Sequence, residues 1–91
     1  MEIPEKTKKT VCVMGLGYVG LPTAAILTRH GYRVAGVDIN KSVVETINHG
    51  KIHIAEEGLD ELVSGSVGTG LLTAALEPSA ANIFLITVPT P

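Results

Sequence analysis

The sequence predicts an α/β fold built on parallel strands. Three observations carry that reading: short, wholly apolar runs rich in β-branched residues, helical apolar spacing between the runs, and glycines at the joints. Half-exposed antiparallel strands would alternate apolar with polar residues. Val11-Cys12-Val13-Met14 and Ile83-Phe84-Leu85-Ile86 do not, which fits strands covered on both faces.

Taken in order, residues 1–10 carry Glu2, Glu5, Lys6, Lys8 and Lys9 and read as a mobile, solvated arm. The first strand follows from Val11 and breaks at Gly15. From Val19 to His30 the chain is apolar and small, with Leu21, Ala24, Ala25 and Leu27 near helical spacing. Pro22 falls in the first turn of that helix and Gly31 suits its C-terminal end. Arg33 to Val37 reads as a second strand ending at Asp38. Lys41 to His49 reads as a second helix, with Asn40 as its N-cap and Gly50 as its stop. A short helix is predicted over Glu57–Ser64, and Gly65, Gly68 and Gly70 punctuate the segment after it. Leu72–Leu76 suits a short edge strand. Ile83–Val88 is the strongest strand signal, and Pro89-Thr90-Pro91 ends it. The arrangement is β-α-β-α-(α)-β-β, with right-handed crossovers between parallel neighbours.

With 91 residues, the chain has room for one domain. Seven Lys and Arg against nine Asp and Glu leave a formal charge of −2, which excludes the cationic footprint of a nucleic-acid binder. A 45% hydrophobic and 18% charged composition is that of a folded chain, not a disordered one. No apolar run approaches the roughly 18 residues of a membrane span, and no signal-peptide core follows the charged start. The single Cys allows no internal disulfide, so a reducing, cytoplasmic setting is expected. Cys12 reads as a small core residue. His30, His49 and His53 lack ligand spacing, so no metal is predicted. The acids Glu56, Glu57, Asp60 and Glu61 read as a solvated helix start.

The joint between the first strand and first helix is Gly15-Leu16-Gly17-Tyr18-Val19-Gly20, a G-x-G-x-x-G pattern. Glycine patterns alone are common. This one follows a strand, opens a helix and precedes an acid, Asp38, about 20 residues on, which together point to a dinucleotide. Gly15 permits the tight turn, Gly17 lets a pyrophosphate approach the backbone, and Gly20 allows close packing. The first amides of the helix, at its positive dipole end, supply the anion site. Asp38 can accept both ribose hydroxyls of NAD and would repel a 2′-phosphate. The cations Arg33 and Lys41 lie near, but the carboxylate favours NAD over NADP. These features define the N-terminal half of a Rossmann-type parallel sheet of strand order 3-2-1-4, spanning 11–91. The cofactor then lies between the first and fourth strands, where Thr87 and Thr90 are placed to offer hydroxyls and Pro89 to stiffen the wall. An ordinary strand residue at Thr87 and a turn residue at Thr90 fit the sequence equally well. Tyr18 is open between a ligand contact and packing over the helix.

Val13 to Pro22, Gly36-Val37-Asp38-Ile39-Asn40 and Val88-Pro89-Thr90-Pro91 resemble the UDP-glucose/GDP-mannose dehydrogenase family. Within it, Ile47 to Ile54 and the closing Val-Pro-Thr-Pro are most similar to UDP-N-acetyl-D-mannosamine dehydrogenases. The match runs from about Val11 to Pro91, departing at Glu56-Glu57-Gly58-Leu59, where the family usually has Glu-Pro-Gly/Asp-Leu. The resemblance implies an NAD-dependent oxidation of a UDP-N-acetylhexosamine at its C6 hydroxyl, giving the uronate through a thiohemiacetal on a catalytic Cys. It implies that this Cys and its partners lie beyond Pro91, so the chain alone is not expected to be active and Cys12 is no substitute. It also implies cofactor contact at Gly15, Gly17, Tyr18, Val19 and Gly20 for the pyrophosphate, Asp38 for the adenosine ribose, and Pro89–Thr90 on the nicotinamide side. UDP-glucose oxidation, or a stand-alone dinucleotide-binding module without chemistry, are the alternatives. The free edge of the fourth strand is expected to make the chain a homo-oligomer.

Overall fold

A computed structural model describes residues 9–87. Among these the order is β1 (Thr10–Met14), α1 (Gly20–Arg29), β2 (Arg33–Val37), α2 (Lys41–Asn48), α3 (Leu59–Gly68), β3 (Leu72–Ala75) and β4 (Ile83–Ile86). The strands form one parallel sheet of order β3-β2-β1-β4, as the sequence predicts. β1 begins one residue earlier than expected, because Thr10 is held from both sides: it pairs with Arg33, and its carbonyl accepts from Asn82 N at 2.9 Å.

The register divides the sheet into two faces. Val11, Val13, Val34, Leu72 and Ala74 point to one side, where they join Leu21, Ala25, Ile47 and Val63 of the helices in a single core. All three helices cover that face, as two successive crossovers of the same hand require. The opposite face carries Cys12, Ala35, Thr73 and Phe84, and no described helix lies over it. Strand β4, predicted to be apolar on both faces, is so, but in this chain it is an edge: Phe84 is 51% and Ile86 70% exposed. The other edge is closed by a side chain. Asn48, the last residue of α2, accepts from Ala74 N at 2.8 Å and donates to Ala74 O at 2.9 Å, pairing the outward backbone of β3 as a neighbouring strand would.

The third helix differs from expectation at both ends. It starts at Leu59, after Gly58 at φ +81°, and runs through Gly65 to Gly68. Interior glycines cost a helix about 1 kcal/mol each. Here packing on α1 offsets that cost. Val63 is fully buried, and the buried Ser66 hydroxyl meets that of Thr28 at 2.6 Å and donates to Leu62 O at 2.9 Å. Asn40 caps α2 as predicted.

Candidate functional site

Three strand ends converge on the G-x-G-x-x-G turn. Gly15 N donates to Val37 O at 2.7 Å, and Asp38 N to Ala75 O and Thr87 N to Met14 O at 3.1 and 2.8 Å. The ladder thus continues one residue past each strand, setting Gly15, Asp38 and Thr87 side by side. Gly15 has φ +100°, a conformation that costs any residue with a Cβ, so the chain can turn there only with glycine. Leu16 is fully buried, its side chain lying where Gly36 has no Cβ to obstruct it. That anchor pins the turn to β2.

The remaining glycines differ in what surrounds them. A Cβ on Gly20 would collide with Gly15 O and lie 2.6 Å from Thr87 Oγ1, so the helix start is pressed against the turn. A Cβ on Gly17 would meet nothing within 4 Å. The space above Gly17 opens to solvent, flanked by Tyr18 and Val19 at 70% and 67% exposed. Among the described residues, the N–H groups of Gly17, Tyr18, Val19 and Gly20 have no backbone acceptor. The cap residue Val19 supplies no side-chain hydrogen bond. A row of free amides at the positive end of a ten-residue helix is a ready anion site.

Asp38 lies half-buried at the side of this turn. Its Oδ2 accepts from Leu16 N and its Oδ1 from Asn40 N, each at 3.0 Å. An ionised carboxylate has about four lone-pair sites, so one on each oxygen remains for ligand hydroxyls. Ile39, the next residue, is 96% exposed. Sequence reasoning does not single it out. The available signal was an apolar residue in a loop, next to the acid and on no buried face. Its surface can lie under a planar base. Lys41 is not at the site but pairs with Glu45 at 3.9 Å on the outside of α2.

Thr87 reaches the site, yet its hydroxyl donates inward, to Gly15 O at 2.7 Å with Met14 O at 3.2 Å. Pro89 and Thr90 lie outside the described residues. His49 terminates α2 with its ring nitrogen 2.7 Å from Glu45 O, and Cys12 is fully buried in β1. Among the described residues no His, Cys, Asp and Glu gather in a group able to hold a metal ion.

Residues 9–91 match the model of the UDP-glucose/GDP-mannose dehydrogenase family, NAD binding domain. The chain belongs to this family. Its matched residues belong to the family's NAD-binding domain, which agrees with a turn that has open amides, room over Gly17 and the Asp38 carboxylate at its side. Similar proteins include a UDP-N-acetyl-D-mannosamine dehydrogenase of Campylobacter jejuni, 57% identical over 81 residues, which are 89% of this chain and 20% of that protein. An NDP-N-acetyl-D-galactosaminuronic acid dehydrogenase of Ralstonia nicotianae is 54% identical over 91% of this chain and 20% of its own length. Among solved structures, the UDP-N-acetyl-mannosamine dehydrogenase of Staphylococcus aureus superposes with a TM-score of 0.87 at 41% identity, covering 90% of this chain and 20% of that one. The chain therefore spans about a fifth of the length of these relatives.

Proposed function

We propose that this chain is the cofactor cradle of a nucleotide-sugar 6-dehydrogenase that oxidises the C6 hydroxyl of a UDP-N-acetylhexosamine, UDP-N-acetyl-D-mannosamine in the first instance, to the uronate. The observation that carries the reading is the row of unpaired amides at Gly17–Gly20 beside Asp38. Gly15, Gly17, Tyr18, Val19 and Gly20 would hold the pyrophosphate, Asp38 the adenosine ribose, and Ile39 the base. Pro89 and Thr90 would lie toward the nicotinamide. NAD, when bound, supplies a hydride acceptor. The chain's own work is to seat the dinucleotide: the amides neutralise its charge without a cation, and Asp38 keeps two lone pairs for vicinal hydroxyls. A carboxylate in that position repels a 2′-phosphate. The choice of sugar is supported by the N-acetylated sugars in the names of the relatives above.

Calorimetric titration with NAD and NADP tests the cradle. NAD is expected to bind at least about tenfold more tightly, about 1.4 kcal/mol. Equal affinities would defeat the assignment of Asp38. For the sugar, the polypeptide continuing this chain is assayed with UDP-N-acetyl-D-mannosamine and UDP-glucose, and faster turnover of UDP-glucose would replace the proposed substrate.

A further inference from the structure

We infer that Thr87 is a positioning residue of the dinucleotide cradle: its hydroxyl lies beside the positions left open by the absent Cβ atoms of Gly15 and Gly20 and fastens the turn so that the Gly15 carbonyl is bonded within the chain and not offered to the ligand. The inference rests on the dinucleotide reading above and names a part that reading leaves out.

The geometry is specific. A Cβ on Gly15 would lie 2.8 Å from Thr87 Oγ1, and one on Gly20 2.6 Å from the same atom. That one oxygen borders both positions, whose nearest neighbours are backbone carbonyls, Thr87 O at Gly15 and Gly15 O at Gly20. Its hydrogen goes to Gly15 O at 2.7 Å, with Met14 O the more distant acceptor, and Thr87 N donates to Met14 O at 2.8 Å. Backbone and side chain of one residue therefore grip the end of β1.

The consequence is electrostatic. Carbonyl oxygens facing a phosphate would repel it. Gly15 O is taken by Thr87, Gly17 O by Leu21 N at 3.1 Å, and Val19 O by Thr23 N and Thr23 Oγ1. With those three carbonyls bonded within the chain, the N–H groups of Gly17–Gly20 stand as a run of free donors, beside the carbonyls of Leu16 and Tyr18, to which no described residue donates. Gly17 and Val19 carbonyls are held by the helix itself. Gly15 O is held by Thr87, just past β4 and 72 residues away in sequence, so its orientation depends on a side chain that can donate. Valine has nearly the same shape and no donor.

The test uses the full chain and three probes, adenosine, ADP and NAD, titrated by amide NMR. Wild type is expected to bind ADP more tightly than adenosine. Thr87→Val is expected to cut that gain, and NAD affinity with it, by about five- to tenfold, the scale of one hydrogen bond. Thr87→Ser, which keeps the donor, is expected to stay within about twofold of wild type. An unchanged gain in Thr87→Val overturns the inference. So does an equal loss for adenosine and ADP, which would mark general loosening. Should Thr87→Val not fold, Thr87→Ser decides: a retained gain supports the role and a lost one removes it. In the ligand-free chain, amide exchange at Gly15 and Thr87 is expected to quicken in Thr87→Val while Val34 stays protected. If wild type shows no gain for ADP, the dinucleotide reading fails, and this exchange measurement still judges Thr87, with unchanged rates against it.

Discussion

At the second βα junction Asn40 closes the start of its helix, and at the first junction Val19 leaves the start open. Both helices face the same difficulty, since their first N–H groups have no carbonyl one turn earlier. Asn40 sits in an extended conformation, and its Oδ1 accepts from Ser42 N at 2.9 Å and Val43 N at 3.4 Å. Val19 has no acceptor to offer. The donors that a cap side chain would take are also lacking there, because Leu21 N already bonds Gly17 O and Pro22 has no N–H. The first helix is thus built so that a side chain could not satisfy it. One junction contributes stability, while the other keeps its donors for a ligand.

Substitutions at the two junctions put this contrast to the test. The largest effect is expected from Gly20→Ala, whose new Cβ meets backbone that cannot move aside. A loss of about 3 kcal/mol in chemical denaturation is expected, from overpacking. A loss below about 1 kcal/mol would mean that the turn and helix are not pressed together as described. Gly17→Ala should separate binding from folding. With open space around its Cβ, unfolding free energy should stay within about 0.5 kcal/mol of wild type. NAD affinity should fall at least about tenfold, since the methyl occupies the approach to the amides. Retained affinity would show that no ligand comes close at that position. The smallest effect is expected at the capped junction. Asn40→Ala should cost about 1 kcal/mol of stability, a melting midpoint lower by roughly 4–8 °C, and leave NAD affinity unchanged. A matching drop in affinity would mean that the second junction also serves the ligand.

Much of this was legible in the residues because the causes are local. Asn40 before a helical apolar pattern, Gly15 at a strand end and Pro22 in a first turn each act within a few residues of themselves. The extent of α3 was not legible. Gly65 reads as a stop, and only burial of Val63 and Ser66 against α1 carries the helix past it. Ile39 escapes notice because an exposed apolar residue in a loop has no periodicity to betray it. For Thr87 a strand residue and a ligand contact fit the sequence equally well, and the bond of its hydroxyl to Gly15 O, 72 residues earlier, has no local signal.

The order of strands and helices, the sharp turn at Gly15 and the carboxylate at the end of β2 follow from the residues alone. These depend on backbone sterics and side-chain chemistry at single positions. Tertiary structure alone decided which face of the sheet the helices cover, that Asn48 closes the edge at Ala74, and that the Thr87 hydroxyl turns inward to Gly15. Each of those joins atoms remote in the chain, and the direction of a hydrogen bond depends on where the acceptor comes to lie after the chain has packed.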